Sequence, residues 1–233
     1  MSQPRAHLVA VPDSWAQDVS LFCARNSHAC PVLDICDVGA WHTPLAPGTD
    51  LRTGLARYRV WRDGEPVAEP EDVAALWDER LVAFLIGPRT CTDTELAAAG
   101  VPLRHREQGR GPALFVTNRS SRPAGRLNGP LVVTMRPVPA PLLPLARAAG
   151  RGTAGHGGGP VHAGDPGMLG IATLSRPDSG TPVRPQPGDV PVFWPSPLTL
   201  QAALRTARPP FTLTDAPGHP LTTGPPPAPR PAA

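Results

Sequence analysis

The chain has 233 residues, 40% of them apolar, which is enough for a sizeable core and, on length, for one large domain or a domain with an insertion. Its 22 basic residues are all arginine against 19 acids, a formal charge of +3, and the absence of lysine excludes a pyridoxal Schiff base, a phosphate-loop lysine and lysine-linked biotin or lipoate. There is no basic block, no membrane-length apolar run and no secretion signal at the start, so a cytoplasmic protein with neither a nucleic-acid nor a membrane partner is expected.

In chain order, residues 7–11 read as a short strand, and Asp13 with Ser14 caps an amphipathic helix over 15–25. A second strand is expected at 32–35. Residues 58–67 alternate around Asp63-Gly64 and predict a hairpin. Residues 71–77 look helical and lead into LVAFLIG at 81–87, an unbroken apolar strand of the kind buried on both faces. A short helix over 92–99 ends at Gly100. The order then repeats: a buried strand at 131–135, a proline-interrupted helix at 140–149, a strand at 190–194, a helix at 198–206 and a last strand at 211–213. Strands alternating with helices predict an α/β fold, a layered sheet with helices on its faces. Proline and glycine, 34 and 23 residues, concentrate between these elements as loops. Residues 224–233 lack apolar periodicity and read as a disordered, Pro-rich tail.

The segment PVHAGDP at 160–166 follows a glycine-rich run that carries His156, a composition that suits close approach of a ligand better than packing. Imidazole titrates near neutral pH, so His156, His162 and His219 are the acid-base candidates, with Asp165 or Asp215 to orient a ring. Arginine clusters at Arg52, Arg57 and Arg59, at Arg119 and Arg122, and at Arg136 suit a small carboxylate held by paired hydrogen bonds. In an open α/β sheet the ends of strands hold the site, which draws attention to Gly87, Arg136 and the segment after Trp194. Asn118 can donate to a developing oxyanion. The four cysteines, Cys23, Cys30, Cys36 and Cys91, match no zinc or CxxC spacing; small buried hydrophobes are favoured over a zinc trio of Cys30, Cys36 and His42, and no metal is assigned. GHGGGP lacks the strand, helix and acid of a dinucleotide fingerprint.

Seven stretches together carry a family resemblance: FCARNSHACPVLDI, LAPGTDLRTGLARYRVWRDGE, LWDERLVAFLIG, TNRSSRPAGRLNGPLVVTMRP, PVHAGDPGMLGIA, GDVPVFWPSPLTLQ and RPPFTLTDAPGH. In that order, over residues 7–219, they resemble the D-glutamate cyclase family of bacterial hydro-lyases. The resemblance implies an α/β fold with a smaller inserted α+β region. The density of helix breakers sets its limits at 106–184, with 1–105 and 185–223 as the main domain. It implies a hydro-lyase, without a cofactor, that dehydrates a small amino or hydroxy acid, such as D-glutamate to 5-oxoproline. The roles implied are substrate binding for Arg52, Arg57, Asn118, Arg122, Arg136 and His156, and catalysis for His162, Asp165 and His219. A homo-oligomer is allowed. The chain departs from the family where Pro88 stands in the place of the cysteine that directly follows LVAFLIG, where Ser196 replaces a cysteine after VFW, and where Asp215 replaces a histidine. Those losses of thiol support a second reading, a family member that binds a small carboxylate or a protein partner without turnover.

Overall fold

Two-residue alternation of buried side chains places the first strand at the centre of a sheet. In the computed structural model, which describes residues 5–87, 91–149 and 159–223, strand β1 (Arg5–Pro12) turns Leu8 and Ala10 to one core and Val9 and Val11 to another. Helix α1 (Asp13–Arg25) follows directly, its first-turn Asp13 accepting from the Ser14 N–H at 2.7 Å. It ends where the buried Asn26 amide donates to the carbonyls of Phe22 and Arg122. Strand β2 (Val32–Ile35) is an edge, and β3 (Tyr58–Arg62) and β4 (Glu65–Ala68) form the hairpin around Asp63-Gly64. Both turn residues have positive φ, 48° and 79°, and a Cβ on Gly64 would meet the Arg205 carbonyl at 2.5 Å, so glycine is required there. The helical stretch read over 71–77 contracts to a single 3-10 turn, Ala74–Leu76, packed ahead of β5 (Leu81–Ile86).

Strand β5 is buried along its whole length, with Val82, Phe84 and Ile86 facing one core and Leu81, Ala83 and Leu85 the other. Next come α2 (Cys91–Ala98), α3 (Arg104–Glu107), β6 (Ala113–Ser120), β7 (Pro130–Pro139), α4 (Leu143–Ala148), β8 (His162–Ala163), β9 (Asp189–Pro195), α5 (Leu198–Ala207), β10 (Thr212–Asp215) and β11 (Leu221–Thr222). The expected helix over 140–149 is divided into a 3-10 turn, Ala140–Leu142, and α4, because Pro141 and Pro144 each lack an amide donor.

The result is an α/β fold built on two antiparallel sheets. The first runs β2-β5-β1-β10-β3-β4, with β11 paired to the start of β1; the second runs β6-β7-β9-β8. One face of the first sheet is covered by α1 and α5 through Trp15, Val19, Phe22, Leu200 and Leu204. The other is covered by the irregular chain between β2 and β3, through Ala46, Leu51 and Leu55. The second sheet packs Phe115, Val133, Met135 and Phe193 beneath the segment that carries Leu169, Ile171 and Val183. Its opposite face packs Val138, Val192 and Trp194 against Leu96, Val101 and Ala146. The sheets are joined through α5, where the Thr199 hydroxyl accepts from the Val132 N–H at 3.1 Å. Among the described residues no helix is long and apolar enough to cross a membrane. His156 and the stretch 224–233 lie outside the described residues.

Candidate active site

A cleft of about 470 Å³ opens where the two sheets meet, within the roughly 300–1,000 Å³ usual for small-ligand sites. The first sheet supplies His7, Arg59 and Asp215; the second supplies Leu114, Thr134 and Arg136, with Pro195–Leu198 and Gln201 closing the side. Because all strand pairings are antiparallel, the end-of-strand rule for open α/β sheets does not place this site; the seam between sheets does. A larger groove of about 600 Å³, around Arg110 and Thr181–Pro185, has neither a histidine nor a carboxylate in its lining.

Arg136 is the buried cation of the cleft. It sits within β7, paired across to Val192, with 8% of its surface exposed. Its Nε donates to Asp93 Oδ1 at 2.6 Å and its Nη1 to Thr134 Oγ1 at 2.8 Å, while Nη2 has no partner among the described residues. The guanidinium lies 5.5 Å from the Trp194 ring. Asp93 in turn accepts from His105 Nε2 at 2.9 Å and Arg106 Nη2 at 3.2 Å. Burial works against the Asp93 carboxylate, but His105 and Arg136 together hold its pKa far below the usual range. A cation held on one side by an acid whose ionised form is favoured, and lining a cleft, can take a substrate carboxylate.

Opposite stands a pair that joins two neighbouring strands. Asp215, the last residue of β10, is 3% exposed; its Oδ1 accepts from the Leu8 N–H at 3.1 Å and its Oδ2 from His7 Nδ1 at 2.8 Å. His7 is partly exposed, and its Nε2 has no partner among the described residues. Burial is the largest influence on His7 and disfavours the imidazolium, but the charge and hydrogen bond of Asp215 outweigh it and raise the pKa above 6.5. Ser196, where the resemblance has a cysteine, is buried in the cleft wall, its Oγ accepting from the Leu198 N–H at 3.3 Å.

The other sequence candidates are distributed more widely. Strand register sets His162 opposite Phe193, which is opposite Met135, whereas Ala163, Val192 and Arg136 share the other face. His162 is therefore on the far side of the second sheet from Arg136. Its Nε2 donates to the Asp165 carbonyl at 2.8 Å, and its ring lies 5.9 Å from Phe193. Asp165 caps the turn Pro166–Leu169 by accepting from the Gly167 N–H at 2.9 Å. Asn118 is exposed beside Gly170, on the same loop cluster. His219 is exposed, donating from Nδ1 to the Pro217 carbonyl, although Pro217 and Gly218 do line the cleft. Arg52 forms a fork on Asp50 and stacks 4.3 Å from Trp41; Arg57 pairs with Glu71 on the surface. Arg122 contributes backbone groups to Asn26 and an exposed side chain. Cys30 and Cys36 pack on opposite faces of the first sheet, so the trio with His42 is divided. Burial raises the Cys23 thiol to about 12 and the Cys36 thiol to about 11.

His7 and Asp93 escaped the sequence reading, although each has a visible signature. His7 is the polar residue directly ahead of the apolar run at 8–11 in β1, and Asp93 is the acid in the first turn of the helix after LVAFLIG.

The model of the family described as D-glutamate cyclase matches residues 82–224. Proteins that carry the name "Putative hydro-lyase" match 94% of the chain: 53% identity in Streptomyces avermitilis over 80% of that protein, 54% in Streptomyces coelicolor over 79%, and 54% in Rhodococcus jostii over 84%. The chain belongs to the D-glutamate cyclase family.

Proposed function

We propose that the chain is a hydro-lyase that dehydrates a small amino or hydroxy acid in the cleft between its two sheets, D-glutamate to 5-oxoproline being the reaction the family description suggests. The observation that supports this reading best is the buried Arg136 in the cleft wall, fixed by Asp93 and Thr134 and with no partner for Nη2 among the described residues. The α-carboxylate pairs with that guanidinium. The amino nitrogen attacks the distal carboxyl carbon, the N–C bond forms, a C–O bond breaks, and two protons from the ammonium leave with that oxygen as water. The chain has to fold the substrate so that nitrogen and carbon meet, and to move those protons. The buried thiols Cys23 and Cys36, both held protonated, are not needed for this scheme.

The replacement of a cysteine by Ser196 in the cleft wall favours the second reading, in which the cleft binds a small carboxylate without turnover. Incubation of the protein with D-glutamate and with L-glutamate, assayed for 5-oxoproline and paired with a thermal shift, separates the two. Product from either enantiomer supports the lyase. Stabilisation without product supports the binder, and neither response overturns both.

A further inference from the structure

We propose that His7, oriented by Asp215, is the proton-transfer residue of the cleft, carrying protons from the substrate's amino nitrogen to the departing oxygen. The proposal rests on the lyase reading and assigns a residue that neither the motifs nor the family description singles out. Its basis is the arrangement of two adjacent strands. Asp215 spends one carboxylate oxygen on the Leu8 N–H and the other on His7 Nδ1, so the ring cannot turn without breaking a buried pair. Nδ1 is thereby fixed as the donor and Nε2 is the nitrogen left to the cleft. His162 and His219 lack this: each spends a ring N–H on a backbone carbonyl.

The proton balance closes with this one ring. Neutral Nε2 takes a proton from the ammonium, and the freed lone pair forms the N–C bond. The imidazolium then passes that proton to a carboxyl oxygen. The nitrogen's second surplus proton follows the same path as the C–O bond breaks, water departs, and His7 ends neutral as it began. Among the described residues, the charged groups that face His7 are Asp215 on β10, Arg59 on β3, Arg136 on β7 and Asp178 in the loop beyond β8, and His7 is the one histidine in the cleft lining. Asp215 is a positioning residue. Replacing it with asparagine keeps an oxygen for Leu8 N–H but presents an amide donor to Nδ1, which puts the proton of the neutral ring on Nε2 and blocks it as a base.

The test is the pH dependence of turnover for the native chain, His7→Asn, His7→Gln, Asp215→Asn and His219→Ala, with melting temperatures confirming that each is folded. For the native chain kcat/KM should fall on the acid side with an ionisation above 6.5, the ordinary imidazole value. Both His7 variants should lose at least roughly 10²-fold in kcat with KM little changed, and lose that limb. Asp215→Asn should lose a similar amount. A native chain that turns over while folded His7→Asn and His7→Gln keep kcat and the limb overturns the assignment alone and leaves the lyase reading intact. Loss of the limb in His219→Ala instead also overturns it. A native chain that forms no product overturns the lyase reading, and this assignment with it.

Discussion

The two faces of the second sheet hold the same kinds of polar residue and use them differently. On the face towards the first sheet, Arg136 is buried; its Nη1 is held by Thr134 two residues back on β7, and its Nε by Asp93, 43 residues away on α2. On the opposite face, His162, Asp165 and Asn118 gather around one turn, and the hydrogen bonds of His162 and Asp165 close within three residues of sequence. Polar groups that satisfy one another locally shape a loop. Polar groups brought together from distant strands and left with an open donor or acceptor can serve a ligand. The contrast separates a site from a polar turn more sharply than residue type does.

The largest effect is expected at Arg136. Arg136→Ala should lower kcat/KM by roughly 10²–10³-fold, the range that truncation of a buried charged hydrogen-bonding group gives. Asp93 retains His105 and Arg106 after the change, so the fold should survive. Arg136→Lys keeps the charge without the planar fork and should recover only part of the loss. Steady-state kinetics with a melting curve for each variant checks this. Native kinetics in a folded Arg136→Ala would remove the cleft from consideration.

A smaller effect comes from the charge pair across the cleft. The folded pKa of His7 is raised, so the imidazolium is stabilised by folding. That contribution is complete below the ordinary value of 6.5 and is lost as pH rises through the folded value. The melting temperature of the native chain should exceed that of His7→Asn by most near about pH 6, with the gap narrowing towards about pH 8. The Asp93 pair does not interfere in this window, because a carboxylate with a depressed pKa loses its contribution only as pH falls below the ordinary 3.8. A gap that widened with pH would mean that the ring is held neutral by the fold.

Much of the fold was legible because the signals were local. The unbroken apolar run LVAFLIG marks a strand buried on both faces, and Asp63-Gly64 sets a turn whose positive φ values only such a pair adopts easily. The interrupted helix at 140–149 was equally visible in its prolines. The site was less legible. Arg136 stood out as a charge within an apolar strand, and the structure places it in the cleft. His162, Asp165 and Asn118 attracted attention through glycine-rich composition, which records backbone freedom and says nothing of which sheet face a side chain takes. That depends on register: a shift of one residue would move His162 to the face of Arg136. The His7–Asp215 pair spans 208 residues and exists only because β1 and β10 are neighbours.

The smallest expected effect is the one that tests the comparison most directly. His162 lies against Phe193 and donates to the Asp165 carbonyl, three residues along the chain. Alanine there removes a partly exposed ring and one local hydrogen bond, at a cost of roughly 0.5–1.5 kcal/mol in stability. The other sheet face is insulated from this by Met135 and Phe193, both fully buried, so the guanidinium of Arg136 should not move. Turnover in His162→Ala should stay within about threefold of native, since the side chain lies on the sheet face turned away from Arg136. If turnover instead vanished in a folded His162→Ala while His7→Asn remained active, the chemistry would belong to the loop face. The buried arginine would then be a structural ion pair, and completeness of local hydrogen bonding would cease to distinguish the two faces.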